Sequence, residues 1–216
     1  MLQGPSFIPP ETKNAIIMFH GYGADGSDLF NLSHVFKKHF EKMAFFSPNA
    51  PTPLYGGGYE WFSLDDYFTK QNLDIDYLSE LQQRAKKILP DTEQYIQHIE
   101  KKLNLKRNQI FIGGFSQGGL IAALTTLNSK ENFAGLILMS PVPVASIPYK
   151  AKKIPILLTR GAQDTVIPPI AAKMTKPIFQ NAGFSITEDV DPLLGHGISD
   201  NNMLHLINFI KTHTTK

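Results

Sequence analysis

Cysteine is absent from all 216 residues, which excludes a disulfide framework, a thiolate metal site and a cysteine nucleophile. Any covalent catalysis must therefore use another group. An excess of charge of one sign is missing too: 21 lysines and arginines against 19 acidic residues leave a formal net charge of +2, too small to argue for nucleic acid as a partner. The cations that do gather, Arg84, Lys86, Lys87, Lys101, Lys102, Lys106 and Arg107, share their stretches with apolar residues at helical spacing and read as solvated helix surface. No run approaches the ~18 apolar residues of a membrane span. Residues 1–10 have neither the basic start nor the apolar centre of a secretory leader, so a soluble, cytoplasmic protein is expected. The histidines form no H-x-x-x-H pair and join no evident ligand cluster, so neither a metal nor a cofactor is expected.

What is present is ordinary globular composition, 42% hydrophobic and 19% charged, at a length suited to one well-filled core. A single domain over 1–216 is expected. Apolar runs at 14–19, 43–46, 110–112, 136–139 and 154–158 read as strands buried on both faces, and 184–190 alternates like a half-buried strand. Between them lie stretches of helical spacing: about 28–40, then 78–88, then a helix opened by an Asp91/Gln94 capping box, and a last one begun by Ser199. Pro90 divides the second from the third. This alternation predicts an α/β fold with a mainly parallel central sheet, helices on both faces and no large lid domain. In such sheets ligands bind at the carboxyl ends of the strands.

One stretch carries chemistry outright. Gly114-Phe115-Ser116-Gln117-Gly118 is a G-x-S-x-G sequence between the strand at 110–112 and a run of helix formers from Leu120. A strand-to-helix turn this sharp needs residues without side chains around the serine, and it lifts the Ser116 hydroxyl above the carboxyl edge of the sheet. The same turn presents the Gln117 backbone N–H at a helix start, where an oxyanion can be stabilised. A second donor is expected from His20-Gly21-Tyr22-Gly23-Ala24-Asp25-Gly26, whose glycines follow a buried strand; Tyr22 N–H is the candidate. His20 reads as a brace for that loop through a backbone hydrogen bond.

A serine needs a base, and the base an orienting carboxylate. Asp164 follows a strand in Arg160-Gly161-Ala162-Gln163-Asp164, and His196 lies between two glycines after the last strand. Ser116, Asp164 and His196 thus occur in the chain order expected of α/β-hydrolases. The segment from 48 to 62 has a different texture. Three prolines at 48, 51 and 53 argue against regular structure. Leu54, Tyr55, Tyr59, Trp61 and Phe62, softened by Gly56-Gly57-Gly58, are expected to form a substrate-binding wall, the alternative being aromatics that pack inward on their own loop.

Several of these stretches together resemble the phospholipase/carboxylesterase family that includes acyl-protein thioesterases: Gly113-Gly114-Phe115-Ser116-Gln117-Gly118-Gly119, His20-Gly21-Tyr22-Gly23, Pro48-Asn49-Ala50-Pro51, Trp61-Phe62, Asp164 before Val166-Ile167-Pro168, and Gly195-His196. The resemblance runs from about residue 14 to 213. It implies an α/β-hydrolase with Ser116 as nucleophile, His196 as base, Asp164 as orienter, Tyr22 and Gln117 N–H groups as the oxyanion hole, and Trp61 near the acyl-binding region. Two residues depart from the family's habit: Arg160 stands where many members carry histidine, and Tyr22 where eukaryotic thioesterases often carry leucine. The expected activity is hydrolysis of carboxylic esters or thioesters through an acyl-serine, without cofactor, on a small molecule, a lysophospholipid or an acylated protein. The alternatives are a carboxylesterase restricted to small soluble esters and a hydrolase-fold binding protein without turnover. Oligomeric state is left open, a homodimer included.

Overall fold

The computed structural model describes residues 1–64, 74–148, 151, 153–167 and 169–214. In chain order they form β1 (Ser6–Phe7), β2 (Asn14–Phe19), α1 (Gly26–Phe30), α2 (Ser33–His39), β3 (Met43–Phe46), β4 (Thr52–Pro53), β5 (Tyr59–Glu60), α3 (Ile75–Lys86), α4 (Leu89–Leu103), β6 (Ile110–Phe115), α5 (Gln117–Leu127), β7 (Gly135–Met139), β8 (Ile156–Gly161), α6 (Pro169–Asn181), β9 (Ile186–Asp191) and α7 (Asp200–His213).

The continuous apolar runs become the centre of the sheet. β2, β3 and β7 are buried at every position, as strands covered on both faces must be. The sheet order is β1-β3-β2-β6-β7-β8-β9. Every pairing is parallel except that of β1, which runs antiparallel along the β3 edge. Alternate residues feed two cores. Ala15, Ile17 and Phe19 join Leu78, Leu81, Ile96 and Leu120 from α3, α4 and α5. Ile16 and Met18 join Leu29, Phe36, Leu206 and Ile210 from α1, α2 and α7. α5 is buried at all of its residues and lies against β6, the strand that delivers Ser116. The approach is close: a Cβ on Gly118 would sit 2.1 Å from the Phe19 carbonyl oxygen.

Some elements differ from the sequence reading. The helix expected over 28–40 is two short ones, α1 and α2, the first capped by Asp25, whose carboxylate accepts from Ser27 N at 2.7 Å. Pro90 does separate α3 from α4, but it sits in the first turn of α4, where its missing N–H removes no helical bond. The Asp91/Gln94 capping box therefore does not form. Ser199 caps α7, its hydroxyl accepting from Asn202 N. β8 begins at Ile156, two residues later than expected, and runs on to Gly161. Thr52–Pro53 pairs with Tyr59–Glu60 in a small separate ladder that the prolines had argued against. A two-residue edge strand tolerates this, because proline loses nothing on a side where no donor is needed.

Arg107 is no solvated surface cation. It is 5% exposed, and its guanidinium donates to both carboxylate oxygens of Glu93, to both of Glu100 and to Ser129 Oγ. Burial works against its charge, but these hydrogen bonds outweigh it and raise the pKa further above the ordinary arginine value.

Candidate active site

β6 ends at Phe115, and Ser116 turns the chain into α5 with φ 54 and ψ −117. This is a sparsely populated conformation for a residue with a side chain, and such strain persists only where neighbours hold it. They do so here. Ser116 N donates to Met139 O at 3.0 Å, while the Ser116 carbonyl accepts from Val142 N and Gly119 N, each at 3.0 Å. Gly114 makes the turn sterically feasible, since a Cβ there would lie 2.2 Å from Gly118 O. Gln117 N belongs to the first turn of α5, among the amides left without an intrahelical partner and at the positive end of the helix.

β8 and β9 bring two further residues to the same edge. Asp164 lies in the turn after β8, 2% exposed. Its Oδ1 accepts from Val166 N at 2.9 Å and Ile167 N at 2.8 Å, and its Oδ2 lies 2.7 Å from His196 Nδ1. An ionised carboxylate can only accept, so Nδ1 carries the hydrogen and the neutral ring keeps its lone pair on Nε2. The imidazole, 15% exposed, packs against the Phe115 ring with centroids 4.7 Å apart, beside the residue that precedes Ser116.

The loop carrying His196 is fastened to the Asp164 turn by Ala162 N to Asp191 O at 2.8 Å and Gln163 N to Leu194 O at 3.0 Å. Gly161 permits this, because a side chain there would strike the Leu194 and Gly195 carbonyls at 2.1 and 2.2 Å. Asp191 closes the far side. Hydrogen bonds from Ser199 and from the Leu193 backbone hold its carboxyl below the ordinary aspartate value. Gly161 and Asp191 were missed in the sequence; the strand-end position of each was the available signal.

The loop after β2 lies against the elbow. A Cβ on Gly21 would be 3.2 Å from the Phe115 ring and 3.5 Å from Ser116 Cβ, so the Gly21–Tyr22 peptide runs beside the serine. His20 is fully buried, with Nδ1 2.7 Å from Gly21 O and Nε2 accepting from Ala50 N at 3.0 Å. Burial lowers its pKa, partly opposed by the Gly21 hydrogen bond. The neutral ring braces the loop, as its place in the sequence suggested. The β4–β5 hairpin is stitched to this loop by Tyr59 N to Ala24 O at 2.8 Å and Gly23 N to Tyr59 O at 3.0 Å.

The expected wall needs correction. Trp61 is 0% exposed and Phe62 6%, so both are core residues that no acyl chain reaches in this conformation. The reason is polar as well as apolar: the indole N–H finds a buried acceptor in His20 O at 2.9 Å, and the ring packs edge-on against Phe19 at 5.1 Å. Tyr55 is fully exposed at the hairpin tip, and Leu54 and Tyr59 are half-buried. Arg160, the departure from the family's habit, is bonded to Glu188 at 3.0 Å, and Lys176 reaches the other oxygen of that carboxylate at 3.0 Å. Burial tends to raise the Glu188 pKa, but these two partners hold it below the ordinary glutamate value.

Among the described residues no three histidine or acidic side chains are grouped to hold a metal, and no helix is long and apolar enough to cross a membrane. The sequence pattern of the phospholipase/carboxylesterase family matches residues 9–214. Acyl-protein thioesterase 1 of Emericella nidulans is 26% identical over 210 residues, spanning 88% of this chain and 85% of its own. A protein of Oryza sativa subsp. japonica named probable carboxylesterase is 28% identical over 215 residues, with 93% and 78% covered. The crystal structure of esterase PE8 superposes with a TM-score of 0.85 at 26% identity, covering 98% of this chain and 99% of that one. With the elbow, the parallel sheet and a family match over nearly its whole length, this chain belongs to the phospholipase/carboxylesterase family, α/β-hydrolases that act on esters.

Proposed function

We propose that this chain hydrolyses carboxylic esters or thioesters as a serine hydrolase, with Ser116, His196 and Asp164 as its triad. The observation that supports this most is the 2.7 Å contact between His196 Nδ1 and the buried Asp164 carboxylate, the imidazole packing on Phe115, which precedes a serine held in the strained elbow conformation. In the reaction Ser116 Oγ attacks the acyl carbon while His196 Nε2 takes its proton. The carbonyl oxygen becomes an oxyanion that accepts from Tyr22 N–H and Gln117 N–H. Collapse of this intermediate breaks the ester or thioester bond, and the leaving alcohol or thiol takes the proton from His196. Water then attacks the acyl-Ser116 by the same route, releasing the acid and restoring the serine. Asp164, steadied by two backbone N–H groups, keeps the hydrogen on Nδ1 and balances the charge of the imidazolium.

The names of the relatives support acylated proteins and carboxylic esters as acyl donors, and the family's description adds phospholipids; small esters and lysophospholipids are the members of these classes we propose. A second reading, an esterase confined to small soluble esters, is favoured by the withdrawal of Trp61 and Phe62 into the core, which leaves less apolar surface for a long chain. The reading extends to a cytoplasmic site of action, tested by fractionation, and leaves oligomeric state, a homodimer included, to sedimentation. The experiment for substrate class is a panel of p-nitrophenyl esters of rising acyl length, with an acylated peptide and a lysophospholipid alongside. Hydrolysis of short esters alone would select the second reading. Absence of turnover on every member would overturn both.

A further inference from the structure

The two oxyanion donors assigned above come from segments far apart in the chain, and both must point at one oxygen to within a few tenths of an ångström. Direct strand pairing stops short of them. The last partners on β2 and β6 are Phe19 and Gly114, so His20 to Tyr22 and Ser116 to Gln117 run on beyond the ladder. Gly118 lets the two segments approach closely, since a Cβ there would lie 2.1 Å from the Phe19 carbonyl oxygen and 2.4 Å from that of His20. Among the described hydrogen bonds, those that bridge one segment to the other run through Trp61, with Phe62 beside it. Trp61 N donates to Gln117 Oε1 at 2.9 Å, Gln117 Nε2 donates to Phe62 O at 2.7 Å, and Trp61 Nε1 donates to His20 O at 2.9 Å. Trp61, Gln117 and His20 are each 0% exposed, so water does not compete for these bonds.

We infer that Trp61 is a positioning residue for the oxyanion hole, tying the His20–Gly21 peptide, one unit before Tyr22 N–H, to the Gln117 side chain at the helix start through its indole and backbone N–H groups. The inference rests on the triad and oxyanion assignment proposed above. His20 completes the brace from behind: its carbonyl receives the indole and its ring receives Ala50 N. The carbonyl of His20 and the nitrogen of Gly21 belong to one peptide unit. Tension on the indole bond is therefore transmitted directly to the loop that carries Tyr22 N–H. A tryptophan that merely filled the core would need its ring volume and not its N–H.

Trp61 is the chain's single tryptophan, so replacing tryptophan throughout with the benzothiophene analogue, sulfur in place of N–H, changes this position alone and removes only the hydrogen bond. Trp61→Phe is the second variant. Both are compared with the parent for melting temperature, for kcat and KM on p-nitrophenyl butyrate, and for Ki of a trifluoromethyl ketone, whose adduct with Ser116 places an oxyanion in the hole. The expected result is a folded analogue protein with KM unchanged, kcat lowered about tenfold or more, and ketone binding weakened by the same factor, because the interaction lost exists only when the oxyanion forms. Trp61→Phe should lose at least as much. A folded analogue protein with parental kcat and Ki overturns the inference. So does a rise in KM alone, a fall in kcat without weaker ketone binding, or an analogue protein that fails to fold. Fluorophosphonate labelling of the parent separates the two levels: an unlabelled parent defeats the triad reading, whereas a labelled parent with parental variants defeats only the role of Trp61.

Discussion

Asp164 spends one carboxylate oxygen on two backbone amides and the other on His196. Asp164→Asn should therefore preserve the turn while reversing the polarity at Nδ1, so that the ring settles in the wrong tautomer. Turnover is expected to fall by ~10⁴ with melting temperature little changed; turnover within tenfold of the parent would remove Asp164 from the mechanism. His20 makes a different prediction at the same scale. Burial lowers its pKa, so between that lowered value and histidine's ordinary ~6.5 the unfolded chain binds the proton that the folded chain refuses. Its contribution to stability is complete above ~6.5 and drains away as the pH falls, at no more than ~1.4 kcal/mol per pH unit for one proton. Urea midpoints at pH 7.5 and 5.5 should lie closer together in His20→Gln than in the parent. An equal spread in the two proteins would show that His20 titrates alike folded and unfolded.

Elements are fixed to one another by a few side chains whose loss should be felt away from the active site. Arg107 joins α4 to the start of β6 and to Ser129 after α5, with every guanidinium N–H engaged. Arg107→Met would remove the cation held between the Glu93 and Glu100 carboxylates, leaving Glu93 only the weaker attraction of Lys130. Because both are partly solvated, the cost is set at about 2–4 kcal/mol, near the lower end of what breaking a buried pair removes. Urea denaturation should show that loss in one transition, as we propose for a single domain over 1–216, with kcat on a short ester retained. The β4–β5 hairpin makes the opposite case, where function should move without stability. Tyr55 is fully exposed and Tyr59 half-buried. If they contact the acyl chain, Tyr55→Ala with Tyr59→Ala should lower the ratio of C8 to C4 ester turnover at unchanged C4 kcat/KM, each methylene contributing up to ~0.8 kcal/mol. A parental ratio in the folded double variant would exclude them.

Across the whole molecule, what could be read from the sequence was what leaves a period or a boundary. Buried parallel strands appear as unbroken apolar runs, and the triad proposed here, Ser116, Asp164 and His196, is read from the G-x-S-x-G motif, the places of these residues just past strand ends, their chain order and the family resemblance. The hairpin left no such trace, because two-residue strands are too short for an alternation and Pro53 argued against one. Trp61 was misread because an aromatic ring with a polar N–H suits a wet surface or a buried acceptor equally well, and the His20 carbonyl that decides the matter is distant in sequence. Arg107 was misread for a similar reason: a cation among lysines looks solvated until its two glutamates are brought over it by the fold.

The central claim is that Ser116 is an activated nucleophile, and covalent capture tests it most directly. The purified protein is treated with a fluorophosphonate, digested, and mapped by mass spectrometry beside Ser116→Ala. Stoichiometric phosphonylation on the peptide carrying Ser116, with turnover lost in proportion and unaltered by EDTA, is the predicted result. Ser116→Ala should be unlabelled and lose on the order of a millionfold in kcat. Hydrolysis that persists in a folded Ser116→Ala protein, or a label found on another residue, would contradict the account.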